Sequence, residues 1–299
     1  MKPRDIVDYV FLAVVWGLSF LVLLKVVEAF GWLGAVTFRS LVAGGTLLGL
    51  PLVTRRRLNF NAPWWAFWAV GATTVAGQLI GLSYATPRIG TAMAAILVAA
   101  IPLFSMVISQ LWGLEQITSQ GLIGLTLGIG GIVLLVGFPA VAITPAFVWG
   151  CVCMVFASFC TALGSNLASR YLKTIGSIEV TAAAFLSGGV MTLPLLIWVP
   201  VPTTPTAIDY VYLLVAGVLM SALSYVVYFR LVGSIGPTKT ISVEFAVTVV
   251  AVVMGTVFLH EALSLIQIVG AIAIIFGCLL VLGLVPALPV PEPKPEVGD

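Results

Sequence analysis

Thr74, Gly77, Gln78 and Gly81 follow one another at i, i+3, i+4 and i+7, and Ser221, Ser224, Tyr225 and Tyr228 repeat that spacing later in the chain. On a helix each set forms one stripe. These side chains donate and accept hydrogen bonds, and none is a nucleophile with a base beside it. Their chemistry is therefore non-covalent, the holding of a small solute. Ser158, Thr161 and Ser165 make a third stripe, with Asn166 beside them, and Trp16 and Ser19 share one side of the first apolar run. Trp16 falls in the middle of its run, where an indole would stack on a solute or pack in a core. Small and hydroxyl residues also serve as contacts between packed helices. Gln78, Tyr225 and Tyr228 are too large for that role and read as cavity residues.

Two further runs complete the candidate set. Gly90, Thr91, Ala94, Ala95, Val98 and Pro102 lie along one side of the first, and Thr240, Glu244, Thr248 and Gly255 mark the second. Gly90 and Gly236-Pro237 stand at their starts. A helix start exposes unpaired amides with a partial positive charge, so either could hold a carboxylate without a dedicated arginine. Pro102 frees a carbonyl one turn earlier, as an ammonium partner or a bending point. Gly90, Pro102, Gly236 and Pro237 are the expected hinge or gating positions.

Charge inside an apolar run is costly and reads as functional by default. Glu244 lies about two turns into its run and would carry a proton or pair with a basic group. Lys239 is close enough to the run's start to snorkel. Arg39 reads as nearer the opposite face, which argues against a direct pair with Glu244. Glu115 and Glu261 sit at turns, where they would cap or clamp rather than touch a solute, and His260 next to Glu261 reads as a surface residue.

The elements that position these groups must be membrane helices. The chain has 299 residues, 61% hydrophobic and 8% charged, with mean hydropathy +1.20, against roughly 25% charged in soluble domains. Stretches of about 20 apolar residues span a bilayer. Ten can be marked, at 6–26, 32–53, 64–86, 90–111, 119–138, 147–170, 177–199, 209–231, 236–259 and 264–285. The first has no small-residue cleavage site and reads as a retained helix. Residues 287–299 are proline-rich and read as a disordered, extended tail. The four cysteines, Cys151, Cys153, Cys160 and Cys278, all lie in apolar runs as small hydrophobes. With both ends on the cytoplasmic side, Arg55, Arg56, Arg57, Arg170, Lys173 and Arg230 fall on that side and only Lys25 and Arg88 oppose them, as the positive-inside rule favours. Trp32, Trp64, Trp65, Trp149 and Trp198 fall near predicted helix ends, as interface anchors.

The chain also repeats itself. A displacement of 146 positions carries Gly71, Ile89, Gly90, Glu115, Gly124, Gly131 and Gly137 onto Gly217, Ile235, Gly236, Glu261, Gly270, Gly277 and Gly283 without a gap. Gln78 and Ser224 are equivalent positions. With five helices in each half the second half would enter the membrane from the other side. The expected fold is thus an all-α membrane protein of ten transmembrane helices in two inverted five-helix repeats, 1–138 and 139–286.

The run Pro102, Glu115, Gly124, Gly131, its second copy at Glu261, Gly270, Gly277, and the pairs Trp16-Gly17 and Phe38-Arg39 resemble the EamA-type repeats of the drug/metabolite transporter superfamily. The resemblance covers nearly the whole chain. It implies ten helices and export of small metabolites, and the pattern looks most like the YddG-type exporters of aromatic and other neutral amino acids. Thr248 stands where the second repeat of that family often has proline.

The leading expectation is a carrier in the cytoplasmic (inner) membrane, with both termini inside, exporting a small neutral or zwitterionic metabolite by alternating access. Its binding residues would be Trp16, Ser19, Gln78, Gly81, Thr91, Ala95, Ser158, Ser165, Ser224, Tyr225, Tyr228, Thr240 and Glu244. A multiply charged phosphate would need clustered arginines and lysines, which are absent from the runs. Export of a drug-like cation or a nucleoside is the alternative, with Glu244 as the one acidic group. A membrane enzyme is disfavoured, since one histidine at a helix end and no acidic pair leave no catalytic, metal or cofactor site. A passive channel is a further alternative. Scattered basic residues give no nucleic-acid surface, so the partners are the solute and the lipid bilayer. The sequence does not fix an oligomeric state and is compatible with a monomer.

Overall fold

A computed structural model describes residues 3–54, 58–112, 118–137, 142–202, 204–235, 240 and 243–281. The described residues are almost wholly helical. In chain order the elements are α1 (Pro3–Thr54), α2 (Trp64–Ile89), α3 (Thr91–Leu111), α4 (Ser119–Gly137), α5 (Pro145–Tyr171), α6 (Ser177–Ile197), α7 (Ala207–Ile235), α8 (Val243–Phe258) and α9 (Leu265–Val281).

The ten-span architecture is not what these helices make. Six of the described helices are long and apolar enough to cross a membrane, and Ser119–Leu134, Val243–Phe258 and Leu265–Leu280 are shorter apolar helices. The spans expected at 6–26 and 32–53 follow one another without a loop in α1, as two helical arms that meet at a kink where Gly31 is non-helical (φ 73, ψ 164). Glycine accepts that positive φ at no steric cost, so the chain changes direction without a loop. The six long spans are α1, α2, α3, α5, α6 and α7, with α1 counted once across its kink. The span expected from residue 236 begins its described helix at Val243. With the count falls the expectation that five helices per half invert the second half.

Irregular turns shape the long helices. α2 holds a π-helical stretch at Gly71–Gly77 and α7 one at Val215–Leu223, at places related by the same 146-residue displacement. Such wide turns recur at functional sites. α3 breaks at Ala99-Ala100, just before Pro102, which has no amide proton for the preceding turn.

Small residues let the helices approach. Thr74, Gly77 and Gly81 of α2 face Gly164, Cys160 and Cys153 with Ala157 of α5, and a Cβ on Gly81 would stand 2.6 Å from the Cys153 carbonyl oxygen. α4 and α9 cross on glycines that match reciprocally. A Cβ on Gly131 would lie 2.6 Å from the Gly270 oxygen, and one on Gly277 2.6 Å from the Gly124 oxygen. The outer faces carry exposed apolar side chains, as lipid-facing surfaces do, and Trp64, Trp149 and Trp198 are exposed at the ends of α2, α5 and α6. All four cysteines are free, with Cys151, Cys160 and Cys278 buried.

Two clusters tie the ends of the bundle. At one end Arg230 pairs with Asp8, Ser234 donates to Asp5 over 3.0 Å, and the Trp65 and Tyr171 rings meet edge to face. At the other, Glu261 accepts from the backbone amides of Thr91 (2.6 Å) and Ala92 (2.7 Å). Gly90, at φ 85, turns those amides towards it. The carboxylate therefore fills the anion site at the start of α3 that the sequence left open for a solute.

Candidate functional site

A cavity lies at the centre of the bundle, between α1, α2, α3, α5, α7 and α8. Its polar lining is Trp16, Ser19, Arg39, Gln78, Ser158, Thr161, Tyr225 and Glu244. Leu79, Leu82, Val98, Met154 and Val247 are among its apolar walls. It offers about 40 Å³ to the centres of water-sized molecules, room for about three waters.

Trp16 organises one wall. Its indole N–H donates to Ser224 Oγ over 2.9 Å, and its ring centroid is 5.2 Å from that of Tyr225 and 5.4 Å from that of Tyr228. The Tyr225 hydroxyl donates to Gln78 Oε1 over 3.2 Å, joining the residues that follow the two π-stretches. Ser19 donates to the Trp16 carbonyl. Opposite, Ser158 donates to the Leu97 and Met154 carbonyls over 3.1 Å.

Arg39 and Glu244 are 5% and 6% exposed, and both face this cavity. Arg39 Nε donates to Ser221 Oγ over 2.5 Å and Nη2 to the Met220 carbonyl over 3.2 Å. Both acceptors lie in the wide turn of α7, and Ser221 itself donates to the Ala216 carbonyl five residues back. Neither charged group belongs to an ion pair among the described residues, where pairs such as Lys25–Glu28 and Arg230–Asp8 lie elsewhere. Arg39 and Glu244 thus share a cavity without pairing, and the Glu244 carboxyl makes no hydrogen bond among those residues.

Of the residues expected to bind solute, Trp16, Ser19, Gln78, Ser158, Tyr225 and Glu244 are brought together here. Ser224 sits behind Trp16. Ser165 and Tyr228 hydrogen-bond each other at 3.2 Å one layer out. Gly81 packs on α5. Thr91 gives its amide to Glu261, and the Ala95 carbonyl accepts from Thr248 over 3.0 Å. Thr240 is fully buried and away from the cavity lining. Among the expected hinges, Gly90 and Pro102 mark real changes of direction. The carbonyls around the Pro102 break are already engaged, Leu97 by Ser158, Ala95 by Thr248 and Ala99 by Cys278. Gly236 and Pro237, with Glu115 and Lys239, lie outside the described residues.

Arg39, outside the expected binding set, also lines the cavity. Its signal is present, a lone cation within an apolar run. Thr161, on its stripe but outside the expected binding set, also lines the cavity. Among the described residues no three His, Cys, Asp or Glu side chains converge as a metal site would need.

Comparison with known proteins accords with a solute cavity inside a membrane bundle. The EamA-like transporter family matches residues 7–137 and again 148–283. Protein PecM of Dickeya dadantii (strain 3937) is 27% identical over 291 residues, covering 94% of this chain and 92% of that protein. The uncharacterized inner membrane transporter YedA of Escherichia coli (strain K12) is 27% identical over 293 residues, covering 94% of this chain and 92% of its own length. A solved crystal structure with 16% identity superposes with a TM-score of 0.69 over 95% of this chain and 99% of the other, a likeness of fold alone. The chain belongs to the EamA-like transporter family of the drug/metabolite transporter superfamily, and is a multi-pass membrane transporter of small metabolites rather than an enzyme.

Proposed function

We propose that this protein exports small neutral metabolites across the cytoplasmic membrane, amino acids with aromatic or other uncharged side chains foremost. The observation that carries the reading is the central cavity, where an aromatic and aliphatic wall is combined with a few hydrogen-bonding groups and one side chain of each charge. Such a lining suits a solute with no net charge, and the resemblance to YddG-type exporters supports the same class. The binding residues are Trp16, Ser19, Gln78, Ser158, Tyr225 and Glu244, with Arg39 and Thr161 added by the geometry.

Movement would be by alternating access. The small cavity supports this, because it has no room for an amino acid until its walls part. A second recess, with about 480 Å³ open to water-sized centres, lies among α5, α6 and α7 and is lined by Lys173, Ser177 and Phe229. Phe229 stands 5.4 Å from Tyr228 and 6.5 Å from Tyr225 between ring centroids. Tyr225 lines the cavity and Phe229 the recess, so this aromatic layer would serve as the gate. Arg230 pairs with Asp8 near the N-terminus and Lys173 lines the recess, which supports a cytoplasmic N-terminus and entry from that side. Residues 1–138 and 139–286 are the units that rearrange, and a monomer suffices.

Uptake of a panel of labelled amino acids into proteoliposomes, with and without a pH gradient, tests the reading. Saturable flux of aromatic and aliphatic members is expected, and its absence for every amino acid would sink the proposal. Glu244 favours one alternative, export of an organic cation. That reading wins if Glu244→Gln abolishes cation resistance in cells and leaves amino-acid flux unchanged. Trp16→Ala should lower flux of phenylalanine about fivefold relative to alanine, since ring stacking contributes about 1 kcal/mol beyond area. Equal losses for both solutes would assign Trp16 to packing alone.

A further inference from the structure

We propose that Arg39 and Glu244 grip the two ends of a zwitterion, the guanidinium taking an α-carboxylate and the carboxyl an α-ammonium, so that one cavity fixes which way round the solute lies. This rests on the amino-acid reading above and deepens it.

Each charge buried in a membrane bundle is expensive, and two opposite charges nearby would ordinarily offset that cost by pairing. These two do not pair. Arg39 is engaged by Ser221 and the Met220 carbonyl, both supplied by the wide turn of α7. That engagement uses Nε and Nη2, and Nη1 makes no hydrogen bond among the described residues. Arginine's planar fork presents such a nitrogen in a fixed direction suited to a carboxylate. Glu244 is on α8, where its neighbour one turn on, Thr248, bonds back to the Glu244 carbonyl (2.7 Å) and across to Ala95 (3.0 Å). The helix is thereby pinned to α3 while the Glu244 carboxyl faces the cavity without a partner.

A cation fixed on the α7 side and an acid fixed on α8, each lacking one partner, are complementary to one molecule carrying both opposite charges. Trp16 and Tyr225 line the same cavity, and the side chain of the solute would lie against them. A solute with only one of its two charges would leave the other cavity group unpaired, which is the stronger source of discrimination.

Competition against labelled phenylalanine in proteoliposomes tests the assignment. The competitors are phenylalanine itself, phenethylamine, which lacks the carboxylate, and N-acetylphenylalanine, which lacks the ammonium. For the wild-type protein, phenylalanine should compete about tenfold better than either analogue, as expected for a lost charge-assisted contact. Arg39→Gln should weaken phenylalanine and N-acetylphenylalanine and spare phenethylamine. Glu244→Gln should weaken phenylalanine and phenethylamine and spare the N-acetyl compound. Arg39→Lys and Glu244→Asp should keep the wild-type ranking. The readout is a ranking of ligands within one preparation, which a general loss of folded protein does not move, and the wild-type arm needs no variant. Phenylalanine flux inhibited equally by all three compounds, or folded variants that weaken all three alike, overturns the grip and leaves amino-acid export standing. No flux of any amino acid overturns both.

Discussion

Glu261→Ala is expected to destabilise the protein more than any other single loss of a polar side chain. The carboxylate accepts from both of the first amides of α3, at 2.6 and 2.7 Å, and α3 has its first turn buried. Those amides have no intrahelical partners, and an orphaned buried donor costs about 1–3 kcal/mol. The carboxylate also meets the positive end of the helix dipole. Gly90 at φ 85 and His260 at φ 55 give the two turns their shape, and the Glu261 amide donates to the Gly255 carbonyl over 3.0 Å. The side chain is thus presented by one family-matched half to a helix of the other. Glu261→Gln keeps one good acceptor oxygen and should fall between wild type and alanine. Thermal melting of the detergent-solubilised protein, followed by size exclusion, reads the order. An alanine variant that melts with the wild type and carries solute at its rate would show the cap to be incidental.

Gly131→Leu and Gly277→Leu should each reduce the yield of folded protein sharply. At both sites an added Cβ would stand 2.6 Å from a backbone oxygen of the facing helix, so backbone rather than a side-chain tip must move. Overpacking of this kind costs about 1–3 kcal/mol per site, and in a membrane the close approach of helices is itself the source of association. Gly130 supplies the control, because nothing lies within 4 Å of its would-be Cβ. Gly130→Leu should express and melt as the wild type does. If all three variants behave alike, the α4–α9 crossing is not held by its glycines.

The reciprocity of that crossing is already present in the amino-acid sequence. The displacement that relates the halves carries Gly124 onto Gly270 and Gly131 onto Gly277, and in space the crossed pairs meet, Gly131 with Gly270 and Gly277 with Gly124. The candidate site is legible there in part. Gln78, Tyr225 and Trp16 stand out because large polar or aromatic side chains within an apolar run need a place to go, and the cavity is that place. Gly81 shares one ideal stripe with Gln78, yet it packs on α5. Gly81 has no side chain to line a cavity, and its would-be Cβ stands 2.6 Å from the Cys153 carbonyl oxygen, so that part of the stripe is a helix contact. Thr91 reads as an anion-binding helix start, which is correct in kind. Its anion is Glu261, about half the chain away, and no local rule could name it.

By itself the sequence determined the solvent of this protein, the duplication within it and the residue types available to a solute, because composition, repetition and hydropathy are properties of the chain alone. The tertiary structure decided how many elements those runs become and which faces of them open on the cavity. Gly31 joins two runs at a kink with no loop between them, close glycine contacts commit part of a stripe to a neighbouring helix, and Ser221 engages Arg39 from α7. Each of these depends on contacts between residues far apart in the chain or on one backbone angle, and neither quantity is encoded in a local pattern.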